Sequence, residues 1–269
     1  LHYWLSQHKD VYMSAIKEPN YFNEDHSIGH YSHLNEYLKI FGRARDRHLY
    51  RGEASPYYLL SEVAINNIEM LSPTSKYIIM MRHPIDLFVS LVGQNKKYND
   101  ETGNRLKEIW DSCDQSREQG VPYRRYKQVC SLGRQVEKLL AKVDRRKVFF
   151  VFLDDLKATP NQVWCDLQDF LKLENVELKE FTVKNAAAVP KFKSYNNLME
   201  ALGGISKLRL NLGILTFLKE LNYVKPRRDA KIISNEFRVE LQQYFDDDIR
   251  LLEKLVERNL STWRNLLDC

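Results

Sequence analysis

The chain has 269 residues, 43% of them hydrophobic, which suffices for one large α/β domain or two small ones. Its formal net charge of +5 comes from 41 basic side chains scattered among 36 acidic ones, so no nucleic-acid footprint is implied. No apolar run approaches the roughly 20 residues of a membrane span, and no cleavable signal pattern opens the chain.

Taken in order, Leu1, Trp4 and Leu5 stand at helical spacing with no initiating Met and no N-cap ahead of them, as if the sequence enters in mid-helix. Val11-Tyr12-Met13 reads as a short strand that leads into Lys17-Glu18-Pro19-Asn20-Tyr21-Phe22. Pro19 biases Glu18 toward an extended conformation, so this stretch is expected as a loop or strand edge. A helix is predicted over 33–41, closed by Gly42, then a short strand end over 49–53 and a helix over 57–71 stopped by Ser72-Pro73. The run Tyr77-Ile78-Ile79-Met80-Met81 has the length and β-branched content of a buried strand, and a helix follows from about Pro84 to Val92.

Residues 93–122 are polar and loop-like, with helical material around Leu106, Ile109 and Trp110, and are a candidate acceptor-gating stretch. One helix is predicted over 126–143, a second buried strand over 148–152 with Asp154-Asp155 at its exit, and a helix from Pro160 to Leu171. Asn185 to Pro190 looks irregular, and 198–218 reads as two helical pieces broken at Gly203-Gly204 and Gly213. Phe237, Leu241, Tyr244, Phe245, Ile249, Leu252, Leu255 and Val256 line one face of a closing helix. No repeat, low-complexity tract or linker marks a domain boundary, so residues 1–269 read as a single domain.

Strands that alternate with helices, and that are nearly continuous apolar runs, argue for a central parallel sheet flanked by helices on both faces. In such sheets ligands bind beyond the carboxyl ends of the strands, where Glu18, Arg82 and Asp154 would lie. An Arg at a strand tip can offer a forked guanidinium to a phosphate, and a Ser hydroxyl such as that of Ser90 can add a bond. The plain alternative for Arg82 is a pair with a surface carboxylate. Cys113, Cys130, Cys165 and Cys269 form no CxxC and the histidines have no metal spacing, so no metal site is expected and the thiols read as reduced.

The stretch KYIIMMRHPIDLFVSLV (76–92) resembles the 3′-phosphate-binding strand and helix of sulfotransferases that use 3′-phosphoadenosine 5′-phosphosulfate (PAPS). Lys17-Glu18-Pro19-Asn20-Tyr21-Phe22 is similar to the KEPHYF-like stretch of the carbohydrate and bacterial-type members, and Gly52-Glu53-Ala54-Ser55-Pro56-Tyr57-Tyr58 to their GE-x-SP-x-Y segment. Phe150 to Leu156 with Phe170-Leu171, and Asp246-Asp248-Ile249 with Leu260-Ser261-Thr262-Trp263, resemble the family's later motifs in the same order. The resemblance implies a P-loop-NTPase-like sulfotransferase fold and transfer of a sulfuryl group from PAPS to an acceptor hydroxyl, leaving PAP.

On this resemblance Arg82 and Ser90 hold the cofactor's 3′-phosphate and Glu18 is the catalytic base, and enclosure between Pro19, Tyr21 and Phe22 is expected to raise the Glu18 pKa. Lys17 faces the sulfuryl or phosphate oxygens, or simply solvent. Lys191 and Lys193 lie in a basic loop that closes on the cofactor in relatives. Glu53 either shapes the acceptor cleft or pairs with Arg51 or Arg82. The family's phosphosulfate loop, K-x-G-T-T-x-L, would fall just ahead of Leu1, so the sequence is expected to start after that strand and loop. Asn20 and Asn23 stand where heparan-type members carry His and Asp, and Ala54 where they carry Lys, which shifts the expected acceptor toward a small metabolite, a lipid or a neutral glycan. A bacterial cytoplasmic enzyme is the expected setting, or the Golgi lumen if a membrane anchor precedes the chain. The rival readings are a P-loop-type kinase with Asp154 or Asp155 on magnesium, and a non-catalytic binding protein that retains the fold.

Overall fold

Two parallel strand pairs position everything that follows. In the computed structural model, which describes residues 1–26, 28, 31–97, 106–113, 125–178, 181, 189–190, 223–224 and 233–264, β1 (Val11–Met13) pairs with β2 (Tyr50–Gly52), Met13 opposite Gly52. β3 (Tyr77–Met81) pairs with β4 (Val148–Phe152), Met81 opposite Phe152. Parallel partners cannot be joined by a tight hairpin. Each pair is therefore linked by a long crossover: α1 (His2–Leu5) precedes β1, α2 (Leu34–Leu38) lies between β1 and β2, and α3 (Ala64–Leu71) leads into β3. Between β3 and β4 come α4 (Pro84–Lys97), α5 (Leu106–Ser112), α6 (Tyr126–Cys130) and α7 (Leu132–Leu140). After β4 follow α8 (Leu153–Ala158) and α9 (Pro160–Leu171).

Successive residues of a strand point to opposite faces, and here both faces are covered. Ile78 and the Phe149 opposite it pack with Trp4, Leu5, Val11 and Trp164 of the α1–β1–α9 side. Ile79 and its partner Phe150 pack on the other side, toward Phe88 of α4 and the closing helix α10 (Asn235–Val256). Met80 departs from the expected continuous burial and is 44% exposed. The periodic face of α10 is buried at Phe237, Leu241, Phe245, Ile249, Leu252 and Val256, with Leu241 and Phe245 wholly enclosed, while Leu255 is half-buried and Tyr244, expected on the same face, is exposed.

Several elements differ from the sequence reading. The helix expected over 57–71 opens as a 3-10 turn, Pro56–Tyr58, and α3 begins only after Ser61, whose Oγ accepts from the Val63 and Ala64 amides (3.2 and 3.0 Å). The helix expected over 33–41 ends in a 3-10 turn over Lys39–Phe41, and α4 runs on to Lys97 rather than stopping near Val92. Asp154 and Asp155 stand at the exit of β4 as expected, in the first turn of α8, a helix the sequence reading did not include. Val189–Pro190 (β5) pairs antiparallel with Tyr223–Val224 (β6), a contact too short for periodicity to announce. The helical pieces over 198–218, the rest of the 182–232 stretch, and residues 98–105 and 114–122 of the gating stretch lie outside the described residues.

The helix expected over 126–143 is broken at Ser131 (φ −80°, ψ 75°), and the break has a distant cause. The Asp248 carboxylate reaches in from α10 and accepts from the amides of Gly133 and Arg134 (2.8 and 3.0 Å), two of the donors a helix start leaves open. Gln135 Nε2 donates across the break to the carbonyls of Gln128, Val129 and Ser131 (2.9, 3.0 and 3.1 Å), which closes the end of α6. The two helices meet so closely that a Cβ on Gly133 would clash with the Asp248 carbonyl oxygen. Cys113, Cys130 and Cys165 form no disulfide, and no helix among the described residues is long and apolar enough to cross a membrane.

Gly133→Ala should therefore lower stability by about 1–3 kcal/mol through overpacking of backbone against backbone, read as a reduced urea midpoint with an unchanged slope.

Candidate functional site

The chemistry-bearing residues follow the carboxyl ends of the parallel strands. Arg82 comes directly after β3, half-buried, with Pro84 opening α4 two residues later. Its Nε is buried without a hydrogen-bond partner, and among the described residues Arg82 makes no ion pair, so the surface-carboxylate alternative finds no partner there. A buried donor left unmade costs about 1–3 kcal/mol, and more when it is charged. The guanidinium stands near the Cys130 thiol of α6, whose titration burial pushes up and Arg82 pulls down. Ser90 is half-buried on α4, six residues beyond Pro84, so one strand–helix unit carries both groups.

Between them His83 locks the corner. Its Nδ1 accepts from the Ile85 amide (3.2 Å), so Nε2 carries the proton and donates to the Trp263 carbonyl (3.0 Å). Gln242 of α10 donates to the same carbonyl (2.8 Å). Burial lowers the His83 pKa, which suits this neutral tautomer. The chain's closing turn is thereby tied to the residue beside Arg82.

The second group follows β1. Ser14 N donates to Gly52 O (2.8 Å), after which residues 15–18 are exposed. Lys17 stands near the start of α1: burial lowers the His2 titration, its bond to the Ser14 carbonyl (3.1 Å) raises it, and the Lys17 charge lowers it further. Glu18 is exposed, with φ at 51°, and Asn20 repeats that left-handed geometry at 48°. The expected enclosure of Glu18 by Pro19, Tyr21 and Phe22 is not what forms. Pro19 and Phe22 turn into the interior, and Tyr21 stacks on Tyr37 (4.5 Å between centroids, 11° between planes), leaving the Glu18 side chain outside.

The carboxyl that is enclosed belongs to Glu53, directly after β2. Its Oε2 accepts from Ser55 Oγ (2.9 Å), and Oε1 is buried without a well-placed donor, although the phenols of Tyr58 and Tyr37 are near enough to act on it. Burial pushes the Glu53 carboxyl up, the hydroxyls of Tyr58, Ser55 and Tyr37 oppose this, and burial dominates. Burial also raises both tyrosines, with the Glu53 charge adding to it. No Arg pairs with Glu53 among the described residues, which corrects the alternative of Arg51 or Arg82 as its partner. Tyr37 was invisible to motif reading, because it joins the cluster only through the fold of the α2 crossover.

Asn20 and Asn23 are 5% and 0% exposed, with buried Oδ1 atoms lacking donors, so neither lies open on a sugar-gripping surface. Asp155 is clamped by Arg258, which donates to both carboxylate oxygens and lies over the Phe152 ring, and Asp154 pairs with Lys157 within α8. The kinase alternative would need one of these acids for magnesium, and Asp155 is already taken. Lys191 and Lys193 lie outside the described residues.

The raised Glu53 titration has a stability consequence. The neutral form is favoured in the fold, so its contribution is full below the ordinary carboxyl pKa and is lost as pH rises through the raised value. Glu53→Gln cannot ionise, so its melting temperature should gain on the parent's as pH climbs from about 4 to neutrality, a trend that differential scanning calorimetry across buffers would show.

The chain has counterparts among known proteins. A sequence model described as the Sulfotransferase domain matches residues 3–206. The fold superposes on the crystal structure of a sulfotransferase from Alicyclobacillus acidocaldarius with a TM-score of 0.71 at 21% identity, over 97% of this chain and 92% of that one. A sulfotransferase domain from the curacin biosynthetic pathway aligns over 56% of this chain and 48% of that one, at 20% identity and a TM-score of 0.37. Among curated proteins none matches by sequence. With the domain spanning most of its length and the strand–helix architecture of a bacterial member, the chain belongs to the sulfotransferase domain family.

Proposed function

We propose that the protein transfers a sulfuryl group from PAPS to an acceptor hydroxyl, with Arg82 and Ser90 on the 3′-phosphate and Glu18 as general base. The observation that carries the reading is the buried, unpartnered Nε of Arg82 at the tip of β3. A dianionic phosphate supplies the charge-assisted partner that the fold leaves open, and the half-buried Ser90 hydroxyl can donate to the same group. This fit also accounts for selectivity, since the 3′-phosphate distinguishes PAPS from ATP.

When bound, PAPS supplies the sulfuryl group, its sulfur–oxygen bond to the 5′-phosphate breaking as the acceptor oxygen bonds to sulfur. Glu18, exposed on its strained loop, is free to meet an acceptor and take the hydroxyl proton as attack develops. Lys17 presents an ammonium near His2 at the start of α1, where it can offset charge on the sulfuryl or phosphate oxygens. Lys191 and Lys193 belong to the same reading as cofactor contacts on the strength of the family likeness. Most of the rate would come from positioning and charge stabilisation, as in phosphoryl transfer. The acceptor is a hydroxylated small molecule, lipid or neutral glycan. No observation favours a kinase or a non-catalytic role over this reading.

Arg82→Ala should weaken PAP binding by roughly 10–100-fold, the worth of a hydrogen bond to a charged group, as measured by titration calorimetry. ADP with Mg²⁺ serves as the kinase control and should give no comparable heat. Unchanged PAP affinity in this variant would remove the phosphate role of Arg82. Glu18→Gln should keep PAP affinity while turnover of labelled PAPS on a hydroxyl-acceptor panel falls by about 10²–10⁴-fold. Retained turnover would show that the base lies elsewhere.

A further inference from the structure

The segment after β2 grips the loop after β1 almost residue by residue. Glu18 N donates to Ala54 O (3.2 Å) and Asn20 N to Ser55 Oγ (3.1 Å), while the Tyr21 and Phe22 amides both donate to Tyr58 Oη (3.0 and 3.4 Å). Asn20 closes the loop on itself by donating Nδ2 to Glu18 O (2.8 Å). These bonds enclose the two left-handed residues, a geometry that costs Glu18 about 1–2 kcal/mol and that Asn20 adopts more readily through its local hydrogen bond. Such geometry persists only where its surroundings over-determine it.

Ser55 is the joint of this grip, and Glu53 sets how it works. A serine hydroxyl has one proton to give and lone pairs to accept with. Because Ser55 Oγ accepts from the Asn20 amide, its proton has to point elsewhere, and Glu53 Oε2 receives it. Ser55 occupies the N-cap position of the Pro56–Tyr58 turn but caps nothing there, so its hydroxyl is committed to the Glu18 loop. The chain uses the same device once more: Ser61 donates to Asp25 Oδ1 (2.6 Å) while accepting from the Val63 and Ala64 amides. There the relay starts helix α3. At Glu53 it starts no helix, and what it holds is the backbone that carries Glu18.

We propose that Glu53 is a positioning residue for sulfuryl transfer, fixing the strained backbone of Glu18 through Ser55 and Asn20 so that the Glu18 carboxylate meets the acceptor hydroxyl. The inference rests on the sulfotransfer reading and on Glu18 as the base. It assigns Glu53 no contact with substrate. Glu53 acts by orienting one hydroxyl proton, a task for which an amide oxygen can substitute.

The test compares the full chain with Glu53→Ala, Ser55→Ala and Glu53→Gln by amide hydrogen exchange and by turnover of labelled PAPS on a panel of phenols, alcohols and neutral sugars. In both alanine variants, exchange over residues 16–24 should rise several-fold, while exchange over β3–α4 and PAP affinity stay at parent values. Turnover number should fall by about 10–100-fold at unchanged KM for PAPS, the scale of a misplaced catalytic group. Glu53→Gln should retain most of both properties. Glu53→Ala added to Glu18→Gln should cost nothing beyond Glu18→Gln alone, since the first acts through the second. Parent-like exchange over 16–24 in both alanine variants, or additive losses in the double variant, overturns the proposal, and Ser55→Ala keeps it open to refutation should Glu53→Ala misfold. A parent chain that sulfates an acceptor while both alanine variants match its turnover leaves the sulfotransfer reading standing and overturns only this one. A parent chain that neither binds PAP nor sulfates any acceptor overturns that reading, and this proposal with it.

Discussion

A guanidinium held at the end of a covered strand, with one donor buried and unsatisfied, is the constraint around which this structure is arranged. Arg82 can sit there only because β3 and β4 run in register to their ends and α4 leaves at once from Pro84. Its neighbour His83 is committed to the Trp263 carbonyl, which Gln242 shares, so α10 and the turn after it brace the corner from behind. Arg258, from just beyond α10, clamps Asp155 just past the end of β4. The strand ends are thus tied down by residues from the far end of the chain, and the guanidinium at the tip keeps a buried donor without a partner.

The carboxylates show how surroundings divide labour among identical groups. Asp248 is spent on the opened start of α7, Asp155 on Arg258, and Asp25 on Ser61 and the Glu62 amide. Glu53 is enclosed by tyrosines, and burial pushes its carboxyl up. Glu18 alone among the acids of the β1 and β2 exits stands exposed on a backbone strained into the left-handed region. Strain that costs free energy, held in place by a dedicated set of hydrogen bonds, is the pattern expected where orientation matters more than local comfort.

Much of the frame was legible along the chain. The runs 77–81 and 148–152 announced themselves because strands covered on both faces must be apolar throughout, and the α10 face did so because one buried stripe repeats at helical spacing. Pro84 and Pro160 marked helix starts for a local reason, a ring that tolerates the first turn. What failed to show had non-local causes. The break at Ser131 is made by Asp248, 115 residues from the Gly133 amide it accepts, so a continuous periodic pattern over 126–143 concealed two helices. The late start of α3 depends on the Ser61–Asp25 pair, and periodicity carries no trace of that bond.

The site divides in the same way. Residue types and their order placed a guanidinium, a serine and a glutamate beyond strand ends, since chain neighbours determine which residue follows a strand. Which carboxyl would be enclosed was another matter. Local sequence surrounds Glu18 with Pro19, Tyr21 and Phe22, yet those side chains pack inward and Glu18 is left outside. Glu53 is enclosed instead because Tyr37, from a separate crossover, and Tyr58 close over it. The sequence by itself determined the order of strands and helices and the chemical groups at their ends, because both depend on residues within a few positions of one another. Only the tertiary structure decided which of those groups is buried, strained or left without a partner, because burial and hydrogen bonding are set by segments far apart along the chain that meet only when it is folded.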